Sequence, residues 1–333
     1  MTLRTNSPMY RREQLFYGTD LKVAYCEATN VETRQRTDTA NGAVYLDARG
    51  PDREYQHNVV EFVKLISLKG VSGGEDIQPF YFKVKGGLDL RDLYLQDCGA
   101  AYVSGDINSA DGSVVNGSEF CGIGIKDDPG DLDLTKEIRL ARIIFADMPS
   151  GVPNLKVDQQ CHTLRMDDIL FLRSVNRKAG TLMTTPSNAG LARVTEKVGV
   201  YLIRGIHFEN TEGYGGGLGL NLHNLTQAAG VTAGQMRISN ITARNDGSTT
   251  YPAYTGDTDL IRVDNPLGGS PFFGASGGYF GHNQVQGVDR TPVGVNLMRN
   301  ADNSTTYAGV RIAADEPYVL PAWAGAMGVT LGA

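Results

Sequence analysis

The residues best equipped for chemistry in this chain are two adjacent carboxylate pairs, Asp127-Asp128 and Asp167-Asp168, and two histidines, His207 and His282. Paired carboxylates hydrolyse glycosidic bonds when one donates a proton and the other acts as base or nucleophile. Neighbours on a strand point to opposite faces, however, so adjacency alone does not aim either pair at a substrate. Asp168 also sits where comparable segments carry Asp92, Arg142, Gly205 and Asn240, a set dominated by turn-forming types. Neither histidine has a nucleophile at a telling spacing, so no catalytic residue is assigned. The glycine-rich stretch 212–220, EGYGGGLGL, lacks the Lys-Ser/Thr pair of a phosphate-binding loop. Cys26, Cys98, Cys121 and Cys161 are far apart and show no metal-ligand spacing, so they read as reduced, mostly buried thiols. No metal or other cofactor is expected.

What positions these residues is a repeated pattern. Five stretches fit one ten-residue template: apolar residues at positions 1, 3, 6 and 8, then usually Asp or Asn at position 10. They are Leu88-Leu90-Leu93-Leu95-Asp97, Ile138-Leu140-Ile143-Phe145-Asp147, Tyr201-Ile203-Ile206-Phe208-Asn210, Met236-Ile238-Ile241-Ala243-Asn245, and Leu164-Met166-Ile169-Phe171 with Arg173 in the last place. Alternation at i, i+2 is strand period, and the three-residue step marks a bend that restores the inward direction. Asp97, Asp147, Asn210 and Asn245 suit the ends of such segments, where a side-chain oxygen satisfies backbone donors as the chain turns. Start-to-start spacings are 50, 26, 37 and 35 residues. Spacings of this order point to stacked repeats, with loops of varying length leaving a regular core. The 50-residue gap has room for a further coil, and Val114, Val115, Phe120, Ile123 and Ile125 could supply it.

These segments, "YLIRGIHFEN" and "MRISNITARN" above all, resemble the right-handed parallel β-helix proteins, which include pectin-cleaving enzymes and bacteriophage tailspikes. The resemblance covers roughly residues 80–310. It implies an all-β fold, a right-handed single-stranded parallel β-helix. It speaks weakly to function, because unrelated activities share this coil. The motifs of the pectin-cleaving enzymes are not recognisable; FGHN at 280–283 is only a fragment of one.

Composition narrows the choice. Net charge is −6 and charged residues are 20% of the chain, so the electrostatic footprint of a general nucleic-acid binder is absent. The 41 glycines suit many turns between short strands. No apolar run is long enough to span a bilayer. The first fourteen residues lack the apolar core of a secretory signal. Exported polysaccharide-degrading β-helices would carry one, whereas a phage structural protein folds in the host cytoplasm and leaves by lysis. The expected location is therefore the virion.

Four regions follow. Residues 1–57, charged and weakly periodic, read as an N-terminal arm that attaches to other virion proteins. Residues 58–80 form a capping segment. Val59, Phe62, Val63 and Ile66 fall on one helical face there, although an ordinary strand fits the same residue types. Residues 81–312 form the coil, and the template degrades over 246–292, with aromatics gathered at 272–280. Residues 313–333 end in a tail, uncharged from 317 onward and holding the single Trp, Trp323, which needs burial against its own coil or another subunit.

Two sets of contact residues follow. The outward position after the bend holds Tyr94, Ile144, Leu170, His207 and Thr242, too apolar for a strand face open to water. The file of Tyr94, Ile144, Leu170 and His207 is assigned to an oligomer interface, with an internal loop as the other cover. The first outward position holds Asp89, Arg139, Arg165, Leu202 and Arg237, whose arginines should face solvent. Resemblance to tailspikes implies a homotrimer that recognises host-surface polysaccharide, with Tyr214, Tyr251, Tyr254 and Tyr279 offered as glycan-binding residues. A capsid-decorating protein and a polysaccharide lyase or hydrolase are the competing expectations.

Overall fold

The computed structural model describes residues 2–4, 8–10, 22–29, 32–34, 44–48, 57–67, 69–71, 79–100, 122–126, 135–150, 154–176, 191–194, 198–211, 217–223, 235–248, 259–264, 278–281, 283–286, 298–299, 310–312 and 318–330. The chain is all-β, with parallel strand pairing throughout and one short helix, Ala322–Ala326, among the described residues. A twelve-stranded sheet runs through Thr2–Arg4, Lys22–Thr29, His57–Ile66, Gly87–Gln96, Thr135–Ala146, Cys161–Leu172 and Val198–Glu209, and on to Val310–Ile312. An eight-stranded sheet faces it, built from Val44–Ala48, Phe80–Val84, Ile123–Lys126, Leu155–Asp158, Ala192–Val194, Gly217–His223, Asp259–Asp264 and Met298–Arg299. Smaller sheets of four and two strands lie on the path between them. The chain therefore visits the sheets in rotation, each pass adding one row.

Register places like residues on like. Leu90 pairs with Leu140, which pairs with Met166, then Ile203, then Ile238. Leu95, Phe145, Phe171, Phe208 and Ala243 form a second column. Every apolar template residue from Leu88 to Phe208 is at most 1% exposed. These columns meet Phe80, Phe82, Ile123, Ile125, Leu155, Val157 and Val194 of the facing sheet in one continuous core. The phenylalanines stack nearly parallel, with ring centroids 4.8 Å apart for Phe145–Phe171 and 4.9 Å for Phe171–Phe208. That spacing is the row separation of a sheet, so the pairing itself imposes the aromatic stack.

The three-residue step is a column of left-handed residues. Tyr25, Phe62, Asp92, Arg142, Asp168, Gly205 and Asn240 all have positive φ, between 51° and 67°. Gly205 is there because a Cβ would lie 2.7 Å from Asp168 Oδ1 in a conformation other residues reach only with strain. A second such column, Ser67, Asp97, Asp147, Arg173 and Asn210, ends the rows. Each of these five amides still donates to the next row, to the carbonyls of Gln96, Ala146, Leu172, Glu209 and Arg244 in turn. The left-handed turn thus bends the chain without interrupting the ladder, which offsets its steric cost.

Several expectations change. The helical reading of the capping segment gives way to the strand His57–Ile66, paired on both sides, with Val60, Val63 and Leu65 inward and Phe62 at the bend. β-Branched side chains and two waiting partners outweigh the helical spacing. Region 1–57 contributes Thr2–Arg4 and Lys22–Thr29 to the main sheet and Val44–Ala48 to the facing one. The 50-residue gap adds no row to the main sheet, since Gly87–Gln96 pairs directly with Thr135–Ala146. Ile123 and Ile125 lie in the facing sheet instead, and Val114, Val115 and Phe120 lie outside the described residues. In the degraded region, Gly278 pairs with Met236 and Phe280 with Ile238, so the row persists where its apolar signal fails.

Candidate functional site

The outer face of the main sheet carries an extended set of polar contacts, and neighbouring rows explain its residue types. Stacked strands bring equivalent outward residues within contact distance, where like charges repel and opposite charges attract. Arg142 follows Asp92 in the bend column and clasps it through two bonds, 2.6 Å to Oδ1 and 2.7 Å to Oδ2. Arg173 follows Asp147 in the terminal column and binds it at 2.6 Å. Arg173, which breaks the Asp/Asn pattern of the template, is therefore the counter-ion of the row beneath. Glu61 holds Arg91 at 2.6 Å, and Asp167 holds Arg204 at 2.5 Å. These carboxylates keep their arginines charged, raising the Arg91, Arg142 and Arg204 guanidinium values further.

Asp167 and Asp168 do not converge. Asp167 faces the outward column and is 8% exposed, whereas Asp168 sits exposed at the positive-φ bend. Desolvation, then the charge of Asp167, holds the Asp168 carboxyl above the usual carboxylate range. Asp127, Asp128 and His282 lie outside the described residues, as do Tyr214, Tyr251 and Tyr254. Tyr279 is placed by backbone register alone, opposite Arg237. Cys98 and Cys161 are buried thiols, and Cys26 is a partly buried one. Among the described residues, no group of three or more His, Cys, Asp or Glu is arranged to hold a metal ion. Among the same residues, no helix is long and apolar enough to cross a membrane.

The file assigned to an oligomer interface is covered by the chain itself. Tyr94, Ile144 and Leu170, with Ala146 and Leu172, form a second apolar cluster with Ala324 and Val329. Tyr318, Leu320, Trp323 and Met327 pack on its margin, as does Ile66. The segment 318–330 crosses the rows as a strap: Tyr318 stacks on His207 of Val198–Glu209, and a Cβ on Gly328 would lie 4.0 Å from Lys64 Nζ of His57–Ile66. Four row steps separate these ends, about 19 Å. Its single helical turn stops at Gly328, whose φ of 84° lets the Gly328 and Val329 amides reach the carbonyls of Gly325 and Ala324. Tyr94, Ile144, Leu170 and His207 are thus 0–6% exposed within one chain. Within one chain the cover is an internal segment, the second of the two covers expected for this file. An apolar file specifies burial but does not say by what.

His207 sits at one end of the strap. Its Nδ1 lies 2.7 Å from Thr242 Oγ1 and its Nε2 3.0 Å from Glu209 Oε2. A carboxylate only accepts, so Nε2 carries the hydrogen and Nδ1 accepts from the Thr242 hydroxyl. Arg244 holds the other Glu209 oxygen at 2.7 Å. The Tyr318 ring covers the imidazole, with centroids 3.4 Å apart and planes within 9°. The imidazole and carboxylate of this series are buried, and the series serves to anchor the strap. Burial, which outweighs Glu209, lowers the His207 pKa, so the neutral ring is the folded form. The contribution is then full above the ordinary imidazole value of about 6.5 and is lost as pH falls below it. Acidification through that range should shift Trp323 fluorescence toward the solvent-exposed value, and His207→Gln should flatten the shift. An emission spectrum constant down to about pH 5 in the unmodified chain would show that Glu209 compensates burial.

One part of the outer face lacks this charge balance. Arg165, Asp167, Leu202, Arg204, Arg237 and Ser239 line an open depression of about 320 Å³. Arg165, Leu202 and Arg237 share a column, in that order. Lower in the same column Arg139 has Asp89 at 3.7 Å, but neither Arg165 nor Arg237 has an ion pair among the described residues. The Arg165 Nε is buried without a hydrogen-bond acceptor. The sequence shows these arginines but not this imbalance, which depends on which residues the rows bring together. A scan of known family models, a search of curated proteins and a search of solved structures each find no match to this chain.

Proposed function

We propose that this chain is a structural protein of a bacteriophage virion, a right-handed parallel β-helix that projects from tail or capsid as a homotrimer and binds host-surface glycan. The observation that carries the reading is the register. Ten rows follow one another along the main sheet, and from His57–Ile66 to Val198–Glu209 each lays its inward residues over those of the row before. Such a stack is about 43 Å tall at the usual strand separation, the form of a rigid spacer. Parallel strands joined through intervening sheets favour a right-handed path, since right-handed crossovers dominate parallel connections. The outer carboxylates spent on arginine partners favour a structural or binding role over hydrolysis, because Asp167 is committed to Arg204 while Asp168 sits exposed at the bend.

Self-association on the Tyr94–Ile144–Leu170–His207 side would form over the strap, so the exposed Tyr25 and Phe62 are an additional candidate surface. Their rings stack at 4.8 Å and are 69% and 43% exposed. Attachment to other virion proteins is assigned to the N-terminal region, and Tyr214, Tyr251, Tyr254 and Tyr279 stay as proposed glycan contacts. Sedimentation equilibrium should give three times the 35.9 kDa chain mass. Purified chain should also bind bacterial surface polysaccharide without releasing oligosaccharides. A monomer without such binding overturns the spike reading; release of oligosaccharides would mark a depolymerase, and binding to empty capsids a decoration protein.

A further inference from the structure

We infer that the depression around Leu202 is a binding site for an acidic polysaccharide, with Arg165 and Arg237 taking its anionic groups and Leu202 the apolar face of a sugar ring. The inference rests on the glycan-binding reading above and adds the site and the ligand class. Elsewhere on this face, carboxylates and arginines from adjacent rows neutralise one another. Around Leu202 three guanidiniums, those of Arg165, Arg204 and Arg237, line the depression with one carboxylate, Asp167, and Asp168 reaches only Arg204 among them, from the bend. Asp167 is already bonded to Arg204 at 2.5 Å, and Arg204 still leaves 67% of its side chain exposed.

A buried guanidinium nitrogen without an acceptor is costly, and Arg165 Nε is in that position. Turning its planar fork onto a carboxylate or phosphate relieves the deficit with two charge-assisted bonds. Arg165 and Arg237 are two rows apart, about 9.6 Å, so a single small anion does not satisfy both. A polymer carrying anionic groups at intervals does. Leu202 lies between them and Ser239 adds a hydroxyl beside Arg204, which gives the apolar and hydrogen-bonding partners a sugar needs. Net charge of −6 disfavours nucleic acid, whose uniform charge meets the repulsive field of the whole chain, whereas sparse charge meets the local field.

The anionic group can be a carboxylate or a phosphodiester, and two probes separate them: hyaluronate and poly(glycerol phosphate). Titration of full-length protein by isothermal calorimetry should show binding to at least one, weakened by raising salt from about 50 to 500 mM. Neutral dextran should bind about tenfold more weakly or less. Arg165→Gln with Arg237→Gln should reduce binding about tenfold or more while the thermal unfolding midpoint and Trp323 emission stay unchanged. Lysine at both positions should recover only part of it, because the fork is lost. Undiminished binding by the glutamine variant overturns this site while leaving a glycan-binding spike intact. Equal binding of dextran overturns the ligand class, and equal binding of single-stranded DNA reduces the effect to general attraction of polyanions. Binding of neither anionic probe also overturns the inference, and the trimer measurement is unaffected by that result.

Discussion

Phe171→Ala should lower the unfolding free energy by about 3–5 kcal/mol, read from urea titrations followed by far-ultraviolet circular dichroism. Phe171 is fully buried in the middle of the aromatic column, 4.8 Å from the Phe145 ring and 4.9 Å from the Phe208 ring. Removing it takes away burial and two stacked contacts at once. The rows above and below are fixed by their own ladder bonds and cannot close the cavity, which places the loss in the upper part of the range for large-to-small changes. Phe171→Leu keeps most of the volume and should cost far less, about 1.5 kcal/mol. A loss below about 1 kcal/mol for alanine would mean that the rows collapse onto the vacancy, contrary to a rigid stack.

The second large effect concerns the strap. Ile144→Arg should release residues 318–330 from the sheet, seen as a red shift of Trp323 emission and as rapid cleavage of the C-terminal segment by protease. Ile144 is 0% exposed at the centre of the strap cluster. A guanidinium buried there without a partner costs several kcal/mol. The strap is held by a handful of apolar side chains at roughly 1.5–3 kcal/mol each, offset by ordering its backbone at about 1–2 kcal/mol per residue. The difference between those terms is small, so detachment is cheaper than burying the charge. The inward columns do not involve the outward face, and far-ultraviolet circular dichroism should change little. Unshifted Trp323 emission with a protected segment would show that the strap is held by something other than this cluster. Trp323 is the only tryptophan, so the reading is unambiguous.

The inward residues were legible because their pattern is local. Leu88, Leu90, Leu93 and Leu95 announce themselves within eight residues, and the same spacing recurs in four later rows. The bend was legible too, since Asp, Asn and Gly at one template position imply unusual backbone angles, and all five have positive φ. The N-terminal rows escaped for particular reasons. Val23, Cys26 and Ala28 follow the template and align with Val60, Val63 and Leu65, but small residues in a charged stretch hide the period. In the next row an asparagine, Asn58, takes the first apolar place. It is buried, with its Nδ2 donating to Gly87 O at 3.4 Å. Aromatic Tyr25 and Phe62 at the bend masked the turn signal as well.

The candidate site was less legible. Two of its arginines, Arg165 and Arg237, are visible as outward residues, yet their lack of an ion pair depends on the rows above and below. Arg139 finds Asp89 in its column and Arg142 finds Asp92, while Arg165 meets Met166, Leu202 and Arg139 as sequence or column neighbours and no acid. Only stacking reveals which charges cancel.

By itself the sequence determined which side chains face inward and where each row bends, because strand alternation and turn preference act over ten residues or fewer. Tertiary structure alone decided that residues 318–330 lie over Ile144 and Leu170 and that the charge around Leu202 stays unbalanced. Both outcomes join residues dozens to hundreds of positions apart through contacts that leave no periodic trace. An apolar outer file specifies that something must cover it, and only the packed chain shows that its own end does so.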